Sequence, residues 1–292
     1  MEHQLWKGIV VWLMRCGKPR RPKQTYSDVE ILRVFFWAVV NDRPVRWACN
    51  NANWPIQERR WTKPSESRVS RRLRSSSVRE LMQKLERELL QPQDRTQLLW
   101  IVDGKPLTIG GCSKDRQAGY GRAAGGKAKG YKLHAIYGEN GTVAQWRVAP
   151  MNVDERVMAA RMLRTAPVQG YVLGDGNFDS NKLHQICDDR GNLQLVTPRR
   201  YGPTCGHGHR KQTAGRLRSK ALLENPWPVF GQQLFAQRSD IERYFGGLTN
   251  WGGGLTHLPP WVRTHRRVHR WVQAKLLLNR LKHSESTTTY AA

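Results

Sequence analysis

Two apolar runs in this chain each stop at an aspartate, and that pairing constrains the fold more than any other feature. Leu98-Leu99-Trp100-Ile101-Val102 ends at Asp103-Gly104, and Gly170-Tyr171-Val172-Leu173-Gly174 ends at Asp175. Short unbroken apolar runs bounded by turn residues read as strands buried on both faces, the kind that helices cover from either side. Residues 131–137 and 143–148 read as two more strands joined by the Glu139-Asn140-Gly141 turn, a hairpin. Asp154 to Arg164 reads as a helix, Leu183 and Ile186 mark another, and Leu193-Gln194-Leu195-Val196 reads as a last strand. The predicted order is three strands, helix, strand, helix, strand, then a helical C-terminal portion, which is an α/β plan. The Gly-rich residues 119–130, interleaved with Arg122, Lys127 and Lys129, enter that order as a connection.

Ahead of Gln91-Pro92-Gln93-Asp94-Arg95-Thr96-Gln97, a polar stretch that makes the best boundary, the chain reads as helical. Ser27-Asp28-Val29-Glu30 has the capping-box pattern and opens an apolar helix through Ile31, Val34, Phe35, Ala38 and Val39, closing near residues 41–44. Pro64-Ser65 suits a second helix entry, with Val69 and Leu73 four apart on one face and Arg68, Arg71, Arg72 and Arg74 on the others. Such a helix suits major-groove or phosphate docking, although a merely exposed cationic helix has the same pattern. Val78, Leu81, Met82, Leu85 and Leu89 continue a helical period that reads as packing. The final helix, Arg263 to Lys282, carries Val268, Trp271, Val272, Leu276, Leu278 and Leu281 on packed faces and leaves Arg266, Arg267, Arg270 and Arg280 for solvent or a polyanion.

Charge narrows the partner. Lys plus Arg number 49 against 23 Asp plus Glu, a formal +26. Through residue 97 the count is 20 against 10, so both halves are basic, at +10 and +16. An excess of this size points to nucleic acid, ahead of membrane because no apolar run approaches the ~18 residues of a spanning helix. No secretory pattern opens the sequence, and Cys16, Cys49, Cys112, Cys187 and Cys205 form no CxxC pair, so a reducing cytosolic compartment is expected.

Side chains at strand ends escape the packed layers, which is where ligands collect in α/β sheets. A lone aspartate there is commonly a cap or turn former; two in one sheet of a strongly basic chain are candidates for chemistry. A third acid, Glu242, lies four residues after Arg238 on a helix whose apolar stripe is Ile241, Phe245 and Leu248. As a surface ion pair this contributes a few tenths of a kcal/mol; in the functional reading Glu242 faces the two aspartates and Arg238 steadies a phosphate. Three converging carboxylates repel unless divalent cations lie between them, and Mg²⁺ prefers such oxygen ligands. Two ions ~3.5–4 Å apart activate an attacking oxygen and stabilise a leaving one in phosphodiester displacement. Lys129 and Lys132 flank the hairpin, as phosphate contacts or as a solvated edge. Cys205-Gly206-His207-Gly208-His209 lacks a second pair at zinc spacing and reads as part of a basic loop over residues 202–218. Trp251 reads as a packing residue before a base-stacking one.

Taken in order, Val102-Asp103-Gly104, Lys129-Gly130-Tyr131-Lys132-Leu133-His134, Leu173-Gly174-Asp175-Gly176-Asn177-Phe178-Asp179-Ser180 and Arg238-x3-Glu242-Arg243-x-Phe245-Gly246 form a specific set. With Pro64-Ser65-x-Ser67-x-Val69-Ser70-Arg71-Arg72-Leu73, the chain resembles the DDE-type transposases of bacterial insertion sequences, the insertion-sequence-four and -five group. The resemblance implies an RNase H-like mixed sheet flanked by helices over residues 98–292, behind a helical DNA-binding region over 1–97. It implies Asp103, Asp175 and Glu242 as a catalytic triad binding Mg²⁺, with Mn²⁺ as a substitute. Arg68, Arg71, Arg72, Lys129, Lys132 and Arg238 are then the DNA-binding candidates. The implied activity is cleavage at element ends and transfer of a 3′-hydroxyl into target DNA, by a homodimer on duplex DNA in the bacterial cytoplasm, without a membrane. A nuclease of the same fold that does not join, and an inactive DNA-binding relic, are the alternatives. The family's Tyr-x2-Arg-x3-Glu-x6-Lys signature is altered to Phe235 and Thr249 at its ends, and the 67 residues from Asp175 to Glu242 leave little room for a large β insertion. Asp179 and Asp240 are the rival acids.

Overall fold

The computed structural model describes residues 1–20, 22, 24–91, 97–111, 113–138, 141–199, 212–224, 229–249, 255 and 257–289. Two compact units divide the chain: Met1–Gln91 with Gly247–Leu255 and Pro259–Ala292, and Pro92–Gly246 with Thr256–Leu258. The helices and strands, in chain order, are α1 (Glu2–Cys16), α2 (Asp28–Val40), α3 (Val45–Ala48), α4 (Glu66–Arg72), α5 (Ser76–Leu89), β1 (Leu99–Thr108), β2 (Gly119–Ala123), β3 (Gly126–Tyr137), β4 (Val143–Pro150), α6 (Glu155–Leu163), β5 (Gly170–Leu173), α7 (Asn181–Arg190), β6 (Leu193–Val196), α8 (Ala214–Glu224), α9 (Val229–Ala236), α10 (Asp240–Thr249) and α11 (His265–Thr289).

The first unit is helical. Ser27 and Glu30 close the predicted capping box: the Ser27 hydroxyl accepts from the Glu30 amide at 3.1 Å, and the Glu30 carboxylate accepts from the Ser27 amide at 2.7 Å. The helix that follows, α2, is buried from Ile31 to Val40 except at Arg33 and packs against α1, α3, α4, α5 and α11. Between α4 and α5 the helical pattern breaks. Ser75 donates its hydroxyl to the Arg72 carbonyl at 2.7 Å and caps α5 by accepting from the Val78 amide, the competition with backbone bonding that serine favours at helix starts. Tryptophan packs this unit: the rings of Trp6, Trp37, Trp47, Trp54 and Trp61 form a chain of contacts, with Trp37 and Trp54 stacked at 5.0 Å. Trp251 lies outside the described residues.

The final helix, α11, belongs to the first unit, where it packs against α1, α2 and α5. Val268, Trp271, Val272, Leu276, Leu278 and Leu281 are buried as the periodicity predicts. Lys275, fully buried among them, pairs with Asp42 at 3.4 Å. Arg280, expected to be left for solvent or a polyanion, instead donates to the Leu89 carbonyl at 3.2 Å, satisfying the last turn of α5.

The second unit holds a six-stranded mixed sheet among the described residues. β3 runs antiparallel to β1 and to β4, while β1, β5 and β6 run parallel. Trp100, Val102, Val172 and Leu195 of the strands pack with Ala159 and Leu163 of α6 and Leu183 and Ile186 of α7. This mixed sheet flanked by helices is consistent with an RNase H-like domain. One strand was not legible beforehand: β2, from the Gly-rich stretch, pairs with the first half of β3. Its glycines conceal it, because the run lacks the β-branched residues by which strands are recognised. They are needed, however: a Cβ on Gly121 would lie 2.4 Å from the Met151 carbonyl oxygen, and one on Gly130 would lie 2.3 Å from that of Leu107. Residues 214–218, expected in a loop, instead start α8, where Asp188 accepts from the Gly215 amide at 2.7 Å. Cys112, Glu139, Asn140 and the Cys205–His209 cluster lie outside the described residues. Among the described residues no helix is long and apolar enough to cross a membrane.

Candidate active site

Parallel register brings two acids side by side. Ile101 of β1 pairs with Leu173 of β5, so Asp103 and Asp175, each two residues further on, lie at the same level of neighbouring strands. Asp175 follows the end of β5 as expected, but the run expected to stop at Asp103 continues to Thr108, because residues 103–108 stay paired with β3; Asp103 is therefore a mid-strand residue opposite Ala135. Both are half-buried. Asp103 accepts from the Gly104 amide at 2.7 Å, and Asp175 caps the short turn at 176–178 by accepting from the Asn177 amide at 2.9 Å. Burial pushes the Asp103 carboxyl up to about 6; the nearby charges of Asp175 and Glu155 add to the rise, and Arg238 opposes it.

Glu155 is the functional-looking residue that sequence reasoning missed. It opens α6 and joins three parts of the site. Its carboxylate accepts from the Asn177 side chain at 2.6 Å, pairs with Lys132 of β3, and lies within electrostatic reach of Asp103. In sequence it is an acid in the first turn of a helix, which the helix dipole alone explains, so nothing marked it out. His134, paired with Gly104 across β1 and β3, is fully buried. Its Nε2 has no hydrogen-bond partner among the described residues, and burial pushes its imidazole down to about 4.

Glu242 stands apart from that cluster. It occupies the first turn of α10, which docks on the sheet through Tyr244 stacked on Tyr137 at 4.0 Å and Phe245 beneath the Lys105 ammonium at 5.8 Å. The predicted stripe of Ile241, Phe245 and Leu248 is buried, yet the Glu242 side chain is 71% exposed and meets Arg238 only at 4.0 Å. Arg238 rests over the Phe235 ring at 5.8 Å and is the element common to both sides, since its charge also reaches Asp103. The side chain of Thr249 lies outside the described residues. Of the rival acids, Asp179 is buried in a two-pronged pair with Arg216, and Asp240 pairs with Arg243 one turn away.

The basic candidates divide similarly. Arg68 and Arg71 are exposed on α4, with Arg68 over the Tyr26 ring. Arg72 is ion-paired with Asp28 and donates to the Tyr26 carbonyl, holding α4 to the start of α2. Lys129 donates to the Ser113 carbonyl at 2.9 Å, and Lys132 is held by Glu155.

Adjacent half-buried carboxylates offering only oxygen suit a hard divalent cation in chemistry and charge. Among the described residues, however, no three His, Cys, Asp or Glu side chains gather closely enough to hold a metal ion. The pair of aspartates fits, and the third ligand is not gathered with it. The family model described as Transposase DDE domain matches residues 94–279. No curated protein matches the chain.

Proposed function

The chain belongs to the transposase DDE domain family, and on that premise we propose that it is a DNA transposase that cleaves duplex DNA at the ends of an insertion sequence and joins them to target DNA. The reading is supported most by the parallel register of β1 and β5, through which Asp103 within β1 and Asp175 just beyond β5 lie at the same level. These two carboxylates would hold Mg²⁺ or, in its place, Mn²⁺, with Glu242 as the third ligand in this reading. Such an ion would supply charge stabilisation for in-line phosphodiester displacement.

The protein's own groups do the rest. Arg238, set between Phe235, Glu242 and the charge of Asp103, steadies the scissile phosphate. Glu155 and Asn177 keep the turn after β5 in register with β3. Arg68, Arg71 and Lys129 contact backbone phosphates, whereas Arg72 and Lys132 act by shaping the surface, because each is already ion-paired. The protein works as a homodimer on paired ends in the bacterial cytoplasm.

The test uses the short inverted repeats flanking the coding region as labelled duplex. With Mg²⁺ the wild type yields cleaved and joined product, and Asp103→Asn binds without cutting. Retained cleavage by that variant sinks the assignment. Cleavage without any joined product makes the protein a nuclease, and binding without cleavage under any divalent ion makes it a relic.

A further inference from the structure

The first unit contains a cavity of about 230 Å³ between α5 and the first turns of α11. Arg74, Arg79, Arg266 and Arg270 line it, together with the apolar Val78 and Met82. Arg270 is the deepest cation. Burial, together with the like charges of Arg267, Arg74 and Arg79, pushes its guanidinium down to about 10; the carboxylate at the cavity, that of Glu86, accepts from the lining Gln273 at 2.6 Å. Among the described residues none of these five arginines forms a side-chain ion pair. Gathering cations around a cavity without counter-charge opposes folding. The arrangement is offset only when an anion enters, and guanidinium forks match the oxygens of a phosphate. Arg74 also continues the arginine series that begins on α4 with Arg68 and Arg71, which favours a polymeric phosphate over a free one.

We propose that this pocket is a phosphate-binding site that receives a backbone phosphate of duplex DNA, separate from Asp103 and Asp175 and from the exposed arginines of α4. The inference rests on the reading of the protein as DNA-binding and adds an anchor point on α5 and α11. Its signature is a trade-off: Arg270→Gln relieves repulsion and raises the melting temperature of the free protein while weakening DNA binding.

The full chain is tested in two arms, with Arg270→Gln, with Arg79→Gln as an exposed variant whose fold is not at issue, and with Arg87→Gln on α5 outside the pocket as control. In the first arm, millimolar inorganic pyrophosphate at constant ionic strength raises the melting temperature of the wild type and of Arg87→Gln, and raises it less in the two pocket variants. In the second, affinity for a duplex of arbitrary sequence is followed against salt. The slope of log K on log [salt] falls by about 0.9 in magnitude when a pocket variant leaves its phosphate unneutralised. Equal pyrophosphate shifts in all four proteins overturn the site. A pyrophosphate response confined to the pocket, with unchanged salt slopes, overturns DNA as the source of the phosphate. A wild type that neither binds nor cuts duplex sinks the transposase reading instead, and the pyrophosphate arm still decides the pocket.

Discussion

Arg216 grips both oxygens of Asp179, Nε to Oδ1 and Nη2 to Oδ2 at 2.7 Å each, with both side chains buried and His184 at 3.7 Å from the same carboxylate. The bond joins the loop after β5 to α8. In sequence Asp179 rivals Asp175, four residues away, as the catalytic acid; in the fold its oxygens are fully engaged. Asp179→Asn strips the counter-charge from a buried guanidinium and should lower stability by roughly 3–5 kcal/mol in urea unfolding, while the folded fraction still cleaves DNA. Loss of cleavage with unchanged stability would reverse the roles of the two acids.

Glu155→Ala removes the acceptor of Asn177 and the partner of Lys132. Groups that orient metal-binding carboxylates typically contribute 10–100-fold to metal affinity. The Mn²⁺ concentration giving half-maximal thermal stabilisation should therefore rise by about that factor, and Asn177→Ala should move it the same way. An unchanged Mn²⁺ titration in both variants would leave Glu155 a structural residue only.

Lys275 is fully buried on α11 and answers Asp42, which adopts a left-handed backbone at φ 53° just after α2. Asp42→Asn leaves an ammonium without its counter-charge and is expected to destabilise by about 3–5 kcal/mol. The double variant Asp42→Asn, Lys275→Met should recover most of that. Additive losses in a denaturant cycle would show that the two charges do not depend on each other.

Lys63 lies over the rings of Trp54 and Trp61, at 4.8 and 4.2 Å, and burial pushes its ammonium down to about 8. Because the folded chain then binds fewer protons at this site than the unfolded chain, stability rises with pH across the window from about 8 to the ordinary lysine value. Below that window the charged ammonium disfavours the fold by its full amount. Wild-type stability measured against Lys63→Met should gain ground between pH 7.5 and about 10; a flat difference would place Lys63 in water.

What could be read beforehand was what depends on local pattern. The capping box at Ser27, the runs that became β5 and β6, and the buried stripe on α10 are short-range features, and each formed where periodicity put it. The run that became β1 started where expected but continued past Asp103 to Thr108, held by pairing with β3. What escaped depends on partners distant in sequence. Residue type marks Arg72 and Lys132 as cations, but only the fold reveals Asp28 and Glu155 beside them. Amphipathicity predicts that α11 packs without saying against what, and its partners α1, α2 and α5 all precede residue 90. For the candidate site, the two aspartates that follow apolar runs were visible as a pair, although only Asp175 proved to lie at a strand end, whereas Glu155 was hidden by a first-turn position where acids are commonplace.

The assignment of α11 to the helices before residue 92 has a consequence for biosynthesis. A ribosome emits α1, α2 and α5 first, yet the helix that covers their apolar surface emerges only after the entire sheet. The β-rich part can close while the earliest-made segment is still waiting, inverting the usual N-to-C order in which nascent domains mature. Until the closing helix arrives, that waiting surface is a natural client for chaperones, and a premature stop codon near residue 258 would leave it permanently bare.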